Sequence, residues 1–305
     1  MPPSPAAIDQ WIRAHLRADA PRPRSLIVTM FGDAVAPYSD GIWLSDLIEL
    51  LDPFGANHRL VRTSVFRLVK DGWLTARREG RRSWYTLAPG GRRRFQHAYD
   101  RVYTPAGEWD GRWAVVMVTE SGRRRLRVRD ELEWEGYGAL APGVFLRPGA
   151  DTRALRESLK DLGVENRAVV LHAQLGEDGA RAPVAALVAQ CWNLRGVSAG
   201  YRRFLERFQA VYALIAGGSA PTPERAFTVQ TLLIDAYRRL TLHDPHLPAA
   251  LLPADWPGHA AYQLCRRLYQ RTYRQSREFL LPRFAASGRK VPAASEVARR
   301  FGGLG

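Results

Sequence analysis

The sequence predicts an α+β protein in three parts: helices with a basic two-stranded ribbon, then alternating strands and helices, then helices alone. Three observations carry this. Between residues 24 and 94, three short helical patterns lead into two strands, "WLTARR" and "RSWYTL", around the turn "EGR". From Trp109 onward, apolar strand runs and amphipathic runs follow the order β-α-β-α-β. Beyond about residue 180 strand signals vanish, and helical periodicity remains, cut by Pro and Gly.

The elements follow in order. Ile8, Trp11, Ile12, His15 and Leu16 recur at helical spacing and predict an amphipathic leader helix, which "APRPR" ends. Docking of that helix on the protein is favoured over a membrane surface, because it needs no extra partner. "RSLIVTMFGDAV" predicts a second helix. "GIWLSDLIELLDPFG" predicts a third, with Leu44, Leu47, Ile48 and Leu51 on one face and Pro53 and Gly55 as its stop. The next helix spans Asn57 to Lys70, with Gly72 as its stop. The ribbon follows, and "APGGRRRFQHAYDRVY" restarts a helix.

In the middle part "RWAVVMVT", "GVFLRP" and "RAVVLHAQL" read as strands. "GRRRLRVRDELEWEG" and "TRALRESLKDLG" read as helices, the latter capped by Thr152 or Asp151. That order predicts a split βαβ, ferredoxin-like domain. Four helices follow, in "VAALVAQCWNL", "SAGYRRFLERFQAVYALIAGG", "TPERAFTVQTLLIDAYRRLTLH" and "WPGHAAYQLCRRLYQRTYRQSREFLLPRF". The expected pieces are a leader (1–20), a first domain (21–107), a middle domain (108–178), a helical domain (179–288) and a loose tail (289–305).

Composition narrows the function classes. The 305 residues carry a formal net charge of +15, with 46% hydrophobic residues and 9 Trp. The sequence pI is about 10.5. This describes a packed protein suited to polyanions: nucleic acid, an acidic membrane surface or phosphorylated ligands. The lysines are Lys70, Lys160 and Lys290, so arginine carries the charge. Cys191 and Cys265 are far apart in sequence, which argues against a disulfide framework or a zinc site and for a reducing cytoplasm. No apolar run approaches the ~20 residues of a membrane span. The N-terminal stretch lacks the apolar core of a signal peptide.

The charge is local. Residues 24–56 hold one basic and five acidic side chains, whereas residues 57–94 hold eleven basic and two acidic. On a wheel of the Asn57–Lys70 helix, Val61, Val65, Leu68 and Val69 share one face. Arg59, Arg62, Thr63, Phe66, Arg67 and Lys70 spread over the other. Arg77, Arg78, Arg81 and Arg82 crowd the ribbon tip. Three short helices plus a basic hairpin is the layout of a winged helix-turn-helix. There one helix enters the major groove, where arginine forks match guanine O6 and N7. Wing arginines hold phosphates or reach into the minor groove. The alternative is a solvated charged face. Phe66 is expected to pack under the wing rather than meet a thymine methyl group.

"VRTSVFRLVKDGWL", "REGRRSWYTL", "WDGRWAVVMV", "GYGALAPGVFLRP" and "LLPADWPGHAAYQL", in this order and spacing, resemble the PaaX family. These are bacterial repressors of phenylacetic acid degradation operons. The resemblance runs from about residue 22 to about 285. It implies a winged helix, a middle domain similar to Cas2, a helical C-terminal domain, and a homodimer that represses transcription until phenylacetyl-CoA releases it. It implies DNA-reading roles for Arg59, Arg62, Thr63 and Arg67 and wing contacts for Arg81 and Arg82. No cofactor is implied beyond that effector.

An aryl-CoA needs cations for its phosphates and an apolar slot for its acyl group. Trp192, Arg195, Tyr201, Arg202, Arg203, Trp256, His259, Tyr262 and Arg266 are the candidates, with core packing and plain surface as the alternative for each. The "GRRRLRVRDELEWEG" helix opposes its own dipole, with arginines first and carboxylates last. Pairing across a dimer, an anion and a solvated charge run all remain open for it. Enzyme chemistry has little support: there is no GxGxxG, P-loop or GxSxG. His243 and His246 flank Pro245 in an expected loop with no third ligand nearby. The rival from another class is a metal-dependent nuclease built on the middle domain, with Asp110 or Glu120 as its acid. An acyl-CoA-binding interaction protein is a third reading.

Overall fold

The computed structural model describes residues 5–105, 107–149, 152–174, 181–286 and 295–304. In chain order α1 (Pro5–Ala18) and α2 (Pro23–Met30) come first, and α2 runs on into a π-helical turn, Phe31–Val35. Then come β1 (Gly41–Trp43), α3 (Leu44–Leu51), α4 (His58–Lys70), β2 (Leu74–Glu79), β3 (Arg82–Leu87) and α5 (Pro89–Tyr103). The middle stretch holds β4 (Arg112–Val118), α6 (Gly122–Trp134), β5 (Gly138–Ala141), β6 (Val144–Pro148), α7 (Arg153–Asp161) and β7 (Ala168–Gln174). The helices α8 (Arg181–Cys191), α9 (Leu194–Ala216), α10 (Pro223–Thr241), α11 (Gly258–Ala286) and α12 (Ser295–Ala298) follow.

The chain forms two compact units. One contains residues 1–105, 202–239 and 258–305, the other residues 106–201 and 240–257. Residues expected in separate pieces, 21–107 and 179–288, therefore both contribute to the first unit. Periodicity shows that a helix has a face to bury, and does not show which partner buries it.

In the first unit the apolar faces of α2, α3 and α4 meet through Leu26, Ile27, Met30, Leu47, Leu50, Val61, Val65 and Leu68. Phe227 of α10 and Leu280 and Phe284 of α11 complete this core. Phe54 meets Phe227 edge-on at 6.1 Å, and Phe227 stacks on Phe279 at 5.1 Å. The leader helix packs here too: Trp11 Nε1 donates to the Arg207 carbonyl, and His15 lies 5.3 Å from the Phe208 ring.

The sheet of this unit has the order β1-β3-β2, all antiparallel. Its first strand corrects the sequence reading, which ran Gly41–Trp43 into a helix. Three residues are too few to show a two-residue period, and their state is decided by pairing with β3, where Trp43 lies opposite Trp84.

The π-helical turn contributes Asp33 to a buried polar cluster. Asp33 Oδ1 accepts from Tyr103 (2.5 Å), Tyr269 (2.9 Å) and Arg300 Nη1 (2.7 Å), and Oδ2 accepts from Gln230 (2.9 Å). Arg300 also donates to the Gly32 and Asp33 carbonyls. Burial opposes the guanidinium's charge. Tyr103, Tyr269 and Asp33 more than offset this and hold its pKa well above the usual value. A side chain at Gly32 would collide with the Phe95 ring of α5, so a larger residue there requires that ring to move.

The expected loose tail is corrected in part. Residues 289–294 lie outside the described residues, but Arg300 and Phe301 are buried at 1% exposure. Phe301 packs on Tyr103, Tyr262 and Tyr269. A segment this short and polar has no periodicity to reveal its docking.

The second unit has a four-stranded antiparallel sheet of order β5-β6-β4-β7. With α6 and α7 between strands, this is two interleaved βαβ halves. It includes a strand the sequence reading missed, β5, a four-residue run of Gly, Ala and Leu with a bulge against β6. Ala114, Val116 and Val118 of β4 face a core with Val128, Leu132, Leu155 and Leu159 of the two helices. Thr152 stands at the N-cap of α7 without a side-chain cap bond, and Asp151 lies outside the described residues. Among the described residues no helix is long and apolar enough to cross a membrane.

Candidate nucleic-acid interface

The basic surface is built on α4 and the β2–β3 hairpin. Asn57 starts α4 by accepting from the Leu60 N–H at 2.8 Å, and Arg67 and Lys70 in the last turn suit the negative end of the dipole. Val61, Ser64, Val65 and Leu68 bury one face. Arg59, Arg62, Thr63, Arg67 and Lys70 are exposed on the other. The Thr63 hydroxyl donates to the Arg59 carbonyl at 2.9 Å. Phe66 departs from expectation. It does not pack under the hairpin and is 69% exposed, because α4 already fills its contacts with Val61, Val65 and Leu68.

The hairpin closes through a two-residue turn, Gly80-Arg81, between the paired Glu79 and Arg82. Gly80 has φ +60°, a value that favours glycine at the first turn position. Arg77, Arg78, Arg81 and Arg82 are all exposed. They are not equivalent. Arg77 pairs with Glu79, and Arg78 Nε donates to the Gly80 carbonyl at 3.2 Å. Arg82 lies 4.2 Å over the Trp43 ring and 3.8 Å from Asp46. Trp43 meets Trp84 edge-on at 4.9 Å, so β1 braces the base of the hairpin.

The candidate effector residues divide between the two units. In the second unit Trp192 and Arg195 line a cavity of about 990 Å³ with Trp109, Val188, Leu251 and Leu252. Trp192 is held by its Nε1 donating to the Gly136 carbonyl at 3.2 Å and by stacking near Trp113 at 6.4 Å. Tyr201 and Trp256 are absent from the residues lining this cavity. They meet edge-on at 5.9 Å, and the Tyr201 hydroxyl donates to Asp244 at 2.6 Å. Arg202, Arg203, His259, Tyr262 and Arg266 belong to the first unit. Arg202, Arg203 and His259 are exposed there, and Tyr262 packs on Phe301. Sequence reasoning missed Trp109, Val184 and Val188 as lining residues. The four-residue spacing of Val184, Val188 and Trp192 was the available signal, since it sets them on one helical face.

Comparison with known proteins now decides the family. Protein-family models match residues 22–91 (PaaX-like protein), 106–185 (PaaX protein central Cas2-like domain) and 192–282 (PaaX-like protein C-terminal domain). The chain is 37% identical over 303 residues to the transcriptional repressor PaaX of Escherichia coli (strain K12), covering 97% of this chain and 95% of that one. This chain belongs to the PaaX-like family of transcriptional repressors. Among solved structures it is similar to the uncharacterized protein Rv0674 from Mycobacterium tuberculosis, with 28% identity and a TM-score of 0.46 over 76% of this chain and 90% of that one.

The first PaaX-like match contains α4 and the whole hairpin. In the PaaX central domain, the two acids considered for a nuclease lie beyond opposite ends of β4. Asp110 accepts from the Arg112 N–H at 3.0 Å, and the side chain of Glu120, 6% exposed, pairs with Arg124 and Arg167 at 3.5 Å each. On α6, Arg129 pairs with Asp130 and Glu133, so some of its charge is neutralised along its own helix.

Proposed function

We propose that this chain is a cytoplasmic, homodimeric, non-catalytic repressor of an aromatic, phenylacetate-type catabolic operon. In this reading residues 21–107 act as a winged helix-turn-helix. Helix α4 enters the major groove with Arg59, Arg62, Thr63, Arg67 and Lys70, and the hairpin arginines hold the backbone. One observation carries the reading: an exposed basic face on α4 adjoins an arginine-tipped hairpin.

Release falls to an aryl-CoA, phenylacetyl-CoA in the first instance. The cavity beside Trp109 and Trp192 supplies an aromatic slot, and Arg195 supplies a cation at its lining. An effector that favours the DNA-incompetent arrangement lowers operator affinity by population shift. A clean switch requires at least a few kcal/mol of differential binding. Two arginines 3.5 Å from Glu120 Oε1 set positive charge where a metal cation would have to bind, which argues against a metal-binding acid there.

The test is fluorescence anisotropy on promoter DNA of the neighbouring operon, with competitor DNA present. Tight binding reversed by phenylacetyl-CoA and not by phenylacetate supports the whole reading. Tight binding indifferent to both keeps the repressor and replaces its effector with another acyl-CoA. Absence of specific binding overturns it.

A further inference from the structure

We propose that Phe66 is a base-reading residue, whose ring contacts the 5-methyl group of a thymine in the major groove of the operator. The inference rests on the repressor reading above and deepens it.

The ring's position has no explanation inside the fold. At about 100° per residue, Phe66 lies about 160° around α4 from Leu68, the centre of the buried face. It is 69% exposed. Arg62 and Lys70 lie one turn to either side and Arg59 two turns before, all exposed and all within about 40° of its direction. Helical side chains lean toward the N-terminus, which carries the ring over the Arg62–Thr63 turn. The largest apolar side chain of this face thus sits among the cations.

That setting selects the partner. A protein interface needs a contiguous apolar patch at its centre, whereas the exposed residues around Phe66 on this face, Arg59, Arg62, Thr63 and Lys70, are charged or polar, and Val69 beside it packs on the core. A polyanion suits the cations. Within a DNA major groove, the apolar feature that one ring can meet is the thymine methyl group. The arginines and Phe66 then read different things: the former guanine edges or phosphates, the latter the presence of one methyl group.

Uracil removes that methyl and leaves the Watson–Crick pairing unchanged. Binding sites are selected from a random duplex pool with the full-length protein. Each thymine of the recovered site is then replaced singly by deoxyuridine. The wild type is expected to lose about fourfold in affinity at one position per half-site, the equivalent of about 0.8 kcal/mol for one buried carbon. Phe66→Ala is expected to bind the thymine site more weakly and to lose the uracil penalty at that position. Phe66→Leu should retain part of it. Thermal unfolding of both variants should match the wild type, since the ring is exposed.

Specific binding with no uracil penalty, or with the same penalty in Phe66→Ala, overturns this inference and leaves the repressor reading intact. A change in oligomeric state on sedimentation, without a change in uracil dependence, assigns the ring to a protein contact and also overturns it. Failure of the wild type to recover any site overturns both.

Discussion

Nη1 of Arg300 lies 2.7 Å from Oδ1 of Asp33, 267 positions earlier in the sequence, and neither side chain is more than 3% exposed. Removing one member of such a pair strands a buried charge, at a typical cost of about 3–5 kcal/mol. Tyr103, Tyr269 and Gln230 continue to donate to Asp33, which softens the loss. Arg300→Met should therefore cost about 3 kcal/mol in urea unfolding at pH 7. Adding Asp33→Asn should recover part of that. A single variant within about 0.5 kcal/mol of wild type, the range of an ordinary surface change, would contradict this account.

The arginines of α4 and those of the hairpin should separate by experiment. Arg62→Ala or Arg67→Ala should cost about 1–3 kcal/mol on the specific site and relax its sequence preference. Arg81→Ala should weaken binding to all sequences and reduce the slope of log K against log salt by about 0.9. Arg82 differs because it also lies over Trp43. Arg82→Ala should add a folding cost of up to about 1 kcal/mol to the same salt effect. A salt slope near zero for the wild type would remove the phosphate contacts altogether.

His15 makes stability depend on pH. Burial, followed by the charge of Arg207, lowers its pKa from 6.5 to about 4. Its Nδ1 has no hydrogen-bond partner, and its ring is 4% exposed beside Trp11 and Phe208. Because the unfolded chain binds the proton more tightly, the stabilisation is full above pH 6.5 and is lost as pH falls toward 4. The full span is worth roughly 3 kcal/mol at 1.36 kcal/mol per pH unit. Urea midpoints between pH 4 and 7.5 should fall less steeply for His15→Leu than for wild type. Parallel curves would show that His15 does not contribute.

Filling the cavity should uncouple release from binding. Ala189 lines it and is exposed. Ala189→Trp should leave operator affinity unchanged and raise the phenylacetyl-CoA concentration needed for release by about tenfold, or 1.4 kcal/mol. An unchanged release curve would place the effector elsewhere.

Much of this was legible in the chain because the signals are local. Asn57, the Val61–Val65–Leu68 stripe and Gly72 delimit α4 within a single stretch of sequence, and the hairpin is marked by its turn. The basic face follows from the same wheel. The short strands β1 and β5 were invisible because a few residues carry no period and only pairing with β3 and β6 decides them. The Asp33 cluster was invisible for the opposite reason. Its partners are Tyr103, Gln230, Tyr269 and Arg300, which no window along the sequence brings together. Phe66 was misplaced because hydrophobicity predicts burial, and this ring is exposed among arginines.

The same long-range pair has a consequence for synthesis. Asp33 is translated first, and its counter-ion follows 267 positions later. At about 5–20 residues per second, that delay is roughly 13 to 53 s. During this interval the nascent chain has α4 and the hairpin but lacks the arginine that neutralises the Asp33 carboxylate. A polypeptide cut short before Arg300 would carry the basic face on an incompletely closed core. Such a fragment is expected to be cut faster by protease than the chain that contains Arg300.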